Sequence, residues 1–397
     1  MIHRHLLIWA SLLAGAQALV HAQDIFNFRP IIGVLAQRPP DRMVAGLDKN
    51  YTSYIAASYV KYLESAGARV VPILTYQDDA YYEELAGSLN GILFPGGAVP
   101  ITSDSGYGAA GKILYDYVLS ANAKGIYLPL WGTCLGMEMI TYLSSNNNWL
   151  TYCLANNIAN SLDLQDGYVD SRMFSQMPAT TILYLRTLNV TVNFHHKCLT
   201  PQNFTESGLS DQYKLLATSR DSLGMEYIAL LEHRDLPIFT SQFHPEKNPF
   251  EWADDTNHDS IPHTPEAVES AQYFAKFFVN QARLNIQSFN SKEEEEGALI
   301  YNYQPVFTGS TSGFVQAYLF LNHSVTSTRG RETNAAPPES KQQHPAAAAS
   351  PTQESNAIIT TIHQAKNRAL KKLKIKVLFY NKLKNALHSR NNGTTNS

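Results

Sequence analysis

Short apolar runs set the strongest constraint on how this chain folds: I-I-G-V-L-A (31–36), G-I-L-F-P-G-G (91–97) and I-Y-L-P-L-W (126–131). A run that is apolar at successive positions suits a strand covered on both faces, as in a parallel sheet. R-V-V-P-I-L (69–74) reads as a further strand, with Pro72 pointing to an irregular or edge position. Helix patterns lie between the runs. Ser53 to Gly67 places Ile55, Tyr59, Tyr62, Leu63 and Ala66 on one face, with Ser53 as cap and Gly67 as stop. Residues 110–121 and 136–143 are helix-patterned too. Strands alternating with helices imply right-handed crossovers, so the expected class is α/β, a mostly parallel central sheet flanked by helices.

From 150 to 245 the pattern is richer in strands, with candidates I-L-Y-L (182–185), V-T-V-N-F (190–194), Y-I-A-L-L (227–231) and P-I-F-T-S-Q-F (237–243). Residues 264–283 have the wide apolar face of a long helix, and 298–307 and 314–321 read as terminal strands.

The two ends of the chain differ from this body. Residues 1–22 follow a signal-peptide pattern: Arg4, an apolar stretch from Leu6 to about Leu19, then Val20-His21-Ala22. The alternative is a membrane anchor, but the stretch is shorter than the ~20 residues that span a bilayer. Residues 23–322 form the expected globular, catalytic body, 323–364 a low-complexity linker and 365–397 a basic tail. In the tail Leu370, Leu373, Val377, Tyr380 and Leu387 share a helical face, which suits an anionic membrane or a partner, or else a solvated tail. Residues 323–397 carry 12 Lys/Arg against 3 Asp/Glu, and residues 23–322 carry 18 against 31. The body is therefore acidic. Sequons at Asn50, Asn189, Asn203, Asn322 and Asn392 agree with a secretory route. Three cysteines in an oxidising compartment leave at least one unpaired within the chain. Cys153 and Cys198 can bridge each other and free Cys134, although the count alone does not establish it.

Cys134 sits in G-T-C-L-G, after a predicted strand and before a helix, with Gly132 and Gly136 two residues to either side. That is the spacing of a nucleophile elbow, where glycines relieve crowding around a strained turn. A helix N-terminus there should favour thiolate and aim backbone N–H groups at a developing oxyanion. A buried inert cysteine is the alternative for this motif alone. H-P-E (244–246) supplies His244 as acid and base at another strand end, with the Glu246 carboxylate near enough to orient it. F-P-G-G ends a third strand. Gly96 or Gly97 could join the Leu135 N–H in an oxyanion hole at the carboxyl edge of the sheet. Glu138, in the elbow helix, is a candidate reader of a donor group on a substrate, or a solvated helix residue.

These pieces, in this order, resemble the class I glutamine amidotransferase fold. R-P-I-I-G-V-L-A-Q, Y-I-A-A-S-Y-V-K-Y-L-E-S-A-G-A, F-P-G-G, G-T-C-L-G-M-E, N-F-H, Q-F-H-P-E-K-N-P-F-E-W and A-L-I-Y-N-Y narrow the likeness. Together, over about residues 28–321, they are similar to the gamma-glutamyl hydrolase family of secreted and lysosomal cysteine peptidases. The resemblance implies Cys134 as nucleophile, His244 as general acid/base, Glu246 as third member, and a substrate-side role for His195 of N-F-H. It also implies a folate poly-gamma-glutamate substrate and a homodimer, with no metal, organic cofactor or nucleic-acid partner. A polyanionic substrate needs local cations, for which Lys247 and Arg38 are candidates by closeness to the motifs. Here N-F-H runs on as N-F-H-H-K-C-L-T, without the aromatic residue often found there, so His195 and His196 stand as alternatives. A glutaminase of the same fold and a secreted binding protein are the rival readings.

Overall fold

The computed structural model describes residues 26–102, 104, 106–253 and 256–321. The expected leader, linker and basic tail lie outside the described residues. Among the described residues, no helix is long and apolar enough to cross a membrane.

The expected α/β architecture is present. Its centre is an eight-stranded sheet of order β3-β1-β4-β5-β11-β10-β9-β7. The strands are β1 (Ile31–Leu35), β3 (Arg69–Ile73), β4 (Gly91–Phe94), β5 (Leu130–Thr133), β7 (Asp163–Leu164), β9 (Tyr213–Arg220), β10 (Glu226–His233) and β11 (Ile238–Ser241). From β3 to β11 every neighbouring pair is parallel, and from β11 to β7 every pair is antiparallel. β3, with Pro72, is an edge strand, where a missing N–H costs no ladder bond.

The helices of the parallel half are α1 (Ala57–Ser65), α2 (Asp79–Ala86), α3 (Gly106–Ala123) and α4 (Leu135–Ser145), followed by α5 (Ala179–Thr187) and α6 (Pro265–Ala282). The sheet has a core on each face. Ile32, Val34 and Trp131 pack with Tyr59, Phe274 and Phe278, whereas Ile31, Leu35 and Leu130 pack with Leu114, Val118 and Ile140. Alternate residues of one strand thus serve opposite cores, which explains the unbroken apolar runs. Thr264 caps α6 by accepting the Ala267 N–H at 3.3 Å.

Two smaller sheets complete the body. β2 (Tyr51–Ala56), β12 (Val306–Phe307) and β13 (Gln316–Leu321) form one, of order β12-β13-β2; β6 (Thr151–Asn160) and β8 (Thr191–Cys198) form the other. Several expectations are corrected. The helix placed from Ser53 starts at Ala57, because residues 51–56 pair with β13 in an antiparallel ladder that includes Ser53↔Phe320. I-L-Y-L is the middle of α5, where Thr181 and Leu185, four apart, are the buried pair. Of 298–307, only Val306–Phe307 is strand. β6, β7 and β9 went unpredicted.

Candidate active site

The carboxyl ends of β1, β4, β5 and β11 converge on one cavity of about 620 Å³. Gln37, Gly97, Cys134 and His244, each just beyond one of those strands, line it. Ligands of open α/β sheets bind at this edge because the loops there are free to carry side chains.

Cys134 joins β5 to α4 with φ 51° and ψ −108°, a region that non-glycine residues avoid at a cost of about 1–3 kcal/mol. Its N–H donates to Ser241 O at 2.7 Å, and its carbonyl accepts the Glu138 N–H at 2.9 Å. The elbow requires both flanking glycines. A Cβ on Gly136 would overlap the Phe94 carbonyl oxygen, and one on Gly132 would lie 2.7 Å from the Gly136 carbonyl carbon. The glycines therefore let α4 start against β4.

His244 follows β11 and is buried. Its Nδ1 lies 2.7 Å from Glu246 Oε1. Nδ1 donates in that bond, which makes Nε2 the acceptor nitrogen. Nε2 is buried without a hydrogen-bond partner among the described residues. A Cβ on Gly96 would lie 2.5 Å from His244 Cε1 and 3.2 Å from Cys134 Cβ, so only glycine fits between the two side chains. Glu246 is wholly buried.

The thiol does not behave as the helix N-terminus alone suggests. Burial pushes the Cys134 pKa well up, and the carboxylates of Glu138 and Glu246 add to that; the Leu135 N–H and the Lys247 ammonium pull the other way without prevailing. Burial therefore favours the thiol over the thiolate at rest.

The remaining predicted residues divide. Leu135 presents its N–H to the Cys134 sulfur. The Gly97 N–H has no partner among the described residues, but the Gly96 N–H donates to Tyr59 Oη at 2.7 Å and is already used. Gly96 is therefore corrected to a packing and turn residue, and the Leu135 and Gly97 N–H groups remain as the candidate oxyanion donors. Glu138 is also corrected. It is buried behind the elbow, off the cavity wall, where its Oε1 accepts from Gln242 Nε2 at 3.3 Å. Burial raises its carboxyl to about 7.

His195 is the third correction. On β8, Phe194 and His196 face the cavity, while His195 between them points to the opposite side. There it meets a disulfide, Cys153–Cys198, with Nδ1 at 3.5 Å and 3.4 Å from the two sulfurs, and stacks edge-on against Tyr227 at 5.0 Å. Burial and His244 lower its pKa to about 3. Cys153, His195 and Cys198 also form a cluster of potential metal ligands, but the disulfide occupies both sulfurs.

Four residues escaped the sequence reading. Gln37 donates from Nε2 to Gly96 O at 2.8 Å and fixes the F-P-G-G turn. Tyr59, on α1, accepts the Gly96 N–H and lies 3.4 Å from His244 Nδ1. Phe194 and Phe314 wall the cavity. Gln37 was findable, as the first polar residue after β1 at the sheet's carboxyl edge. Tyr59 reads as one more apolar residue of a helix face.

Basic side chains dominate the wall. Arg38, Arg42 and Lys247 line it together with His196 and His258, and among the described lining residues Asp41 is the one carboxylate, held 3.1 Å from Arg38. The fold and the site together define a cysteine hydrolase on a mostly parallel α/β sheet. The chain matches the model of the family described as Peptidase C26 over residues 30–246. It is 44% identical over 294 residues to gamma-glutamyl hydrolase of Homo sapiens, covering 74% of this chain and 90% of that protein. It is 40% identical over 319 residues to the Rattus norvegicus gamma-glutamyl hydrolase, covering 80% and 98%. To gamma-glutamyl hydrolase B of Dictyostelium discoideum it is 38% identical over 308 residues, covering 77% and 87%. The chain belongs to the peptidase C26 family and, within it, to the gamma-glutamyl hydrolases.

Proposed function

We propose that this protein hydrolyses gamma-glutamyl bonds in folate poly-gamma-glutamates through a Cys134 thioester. The observation that carries the reading is the cavity itself, with Cys134 and His244 on its wall amid cations that suit a polyanionic chain. Hydrolysis of gamma-glutamyl bonds is the activity named for the relatives.

His244 Nε2 removes the thiol proton as sulfur attacks the gamma-carbonyl, because burial keeps the thiol protonated beforehand. Glu246 holds the ring by Nδ1–H and supports its charged form. The Leu135 and Gly97 N–H groups receive the oxyanion; removing such a donor typically costs ~10²–10³ in rate. The tetrahedral centre collapses to the thioester as His244 returns its proton to the departing alpha-amine. Water, deprotonated by His244, then attacks the thioester carbonyl, and the thiol leaves with that proton. Cleavage of a pteroyl poly-gamma-glutamate by the purified protein, absent in Cys134→Ala, is expected. Hydrolysis of free glutamine without polyglutamate cleavage would overturn the substrate assignment.

A secretory route, to the extracellular space or a lysosome, is part of the proposal. It is supported by the 1–22 pattern and by a disulfide, which persists in oxidising compartments. Asn50 and Asn189 are exposed and suited to glycosylation, while the Asn203 amide is engaged with Trp149 O and Thr151 Oγ1. A glycosidase mobility shift, reduced in the Asn50→Gln/Asn189→Gln double variant, tests this.

A further inference from the structure

His195 faces away from the catalytic cavity, and what surrounds it there serves no step of the reaction above. Its Nδ1 lies 3.5 Å from Cys153 Sγ and 3.4 Å from Cys198 Sγ. All three side chains are buried, and their ligand atoms lie within 4.8 Å of one another. The ring is oriented from behind. Asn193 donates from Nδ2 to Thr191 O at 3.1 Å, which turns its Oδ1 toward His195 Nε2 at 3.2 Å. Nε2 therefore carries the proton and Nδ1 the lone pair, aimed at both sulfurs. Burial and the neighbouring His244 keep the imidazole neutral, with a pKa of about 3, and the Lys197 backbone pulls the other way without prevailing.

While the disulfide stands, neither sulfur has a hydrogen to offer that lone pair, and a buried acceptor left so is costly. Reduction changes what the three atoms can do. A dithiol supplies two electrons and two protons, becomes a disulfide itself, and leaves two thiols beside a neutral imidazole. In a tetrahedral site Zn–S is about 2.3 Å and Zn–N about 2.0–2.1 Å, which puts each sulfur about 3.6 Å from the nitrogen. The observed 3.5 and 3.4 Å already come close. The two sulfurs need about 3.8 Å between them, near the contact distance of unbonded sulfur atoms, so reduction itself opens the gap. Their Cα atoms stand 6.0 Å apart. Charge agrees as well: Zn²⁺ with two thiolates and a neutral imidazole is net zero, the state that burial favours. The bond from His195 Nε2–H to Asn193 Oδ1 is the kind of outer contact that orients a metal-bound histidine. Cys153 lies where the β6–β8 register is interrupted, so a local opening there breaks little of the ladder and admits an ion.

We propose that the reduced chain binds one Zn²⁺ through Cys153, Cys198 and His195, with water as the fourth ligand, and that this ion takes the place of the disulfide in joining β6 to β8. Binding releases both thiol protons as the two Zn–S bonds form.

The test uses the full chain carrying Cys134→Ala, so that the cavity thiol takes no metal, reduced anaerobically with a phosphine. Competition with a chromophoric chelator should show one tight Zn²⁺ per chain after reduction and none before it. Co²⁺ in its place should give the visible bands of a tetrahedral ion and the near-ultraviolet charge transfer of bound thiolate. The reduced, metal-free protein should melt below the oxidised one, and Zn²⁺ should raise that transition with its concentration. Asn193→Leu should weaken Zn²⁺ by about 10–100-fold, and His195→Gln by more, while both still form the disulfide. Tight Zn²⁺ in the oxidised protein or in the Cys153→Ser/Cys198→Ser double variant would overturn the assignment. So would a reduced chain without a tight site, or a Co²⁺ spectrum without thiolate bands, and both of these readouts stand even where a variant fails to fold.

Discussion

Cys134 shows how much one residue depends on its neighbours. Its thiol is held up by burial and by two carboxylates, so its reactivity must come from His244 acting during attack. Cys134→Ala should reduce turnover at least ~10³-fold while leaving thermal unfolding nearly unchanged, as removal of a nucleophile does; wild-type turnover in that variant would exclude the thioester. Glu138 gives a signed pH effect. Burial raises its carboxyl from the ordinary 4.5 to about 7, so the folded protein binds that proton more tightly than the unfolded chain. Its contribution is fully present below about pH 4.5 and is lost as pH rises through about 7, a difference of at most about 3 kcal/mol. Glu138→Gln should therefore flatten the decline in unfolding free energy between about pH 5 and about pH 8, read from denaturant titrations. An unchanged slope would show that Glu138 is ionised in the fold. Cys134, His244 and Glu246 were legible as a set because their chemistry is written in residue type and spacing. The burial of Glu138 was not legible, since an acidic residue in a first helical turn looks solvated until Gln242 packs against it.

Among the elements, the β5–α4 elbow and the antiparallel β6–β8 pair do most to position the site. A methyl group on Gly136 meets backbone rather than a movable side chain. Gly136→Ala should cost about 3 kcal/mol or more and abolish soluble activity together, and a variant with native melting and turnover would refute the steric account. The Cys153–Cys198 bridge joins β6 to β8 across a separation of 45 residues, for which chain entropy suggests about 4 kcal/mol. The Cys153→Ala/Cys198→Ala double variant should lose about 2–4 kcal/mol and weaken substrate binding, because Asn156, Phe194 and His196 belong to those two strands. Equal stability by denaturant titration would argue against it. β1, β3, β4 and α6 were readable because burial on both faces, or along one wide face, leaves a plain pattern. β2 was taken for helix because its pairing partner, β13, lies more than 260 residues away, and no local pattern records such a neighbour.

For the whole molecule, every residue assigned to the site lies between Gln37 and Phe314, and β13 ends at Leu321. A chain ended after residue 322 should keep the full-length kcat/KM. One ended after residue 305 should be inactive, because it loses Phe314 from the cavity and β13 from the ladder with β2, which leads into α1 and Tyr59. Comparable activity in the two truncations would disprove that coupling. The amino-acid sequence by itself determined the α/β class, the elbow, the His-Pro-Glu end of β11 and the family, since each is a matter of local periodicity or of residue order. Only the tertiary structure decided which glycine N–H is free, which way His195 points, that Glu138 is covered, and that Lys247 stands between two rings. Those outcomes depend on what arrives from distant parts of the chain: Tyr59 to Gly96, the disulfide to His195, Gln242 to Glu138, and Phe314 to Lys247.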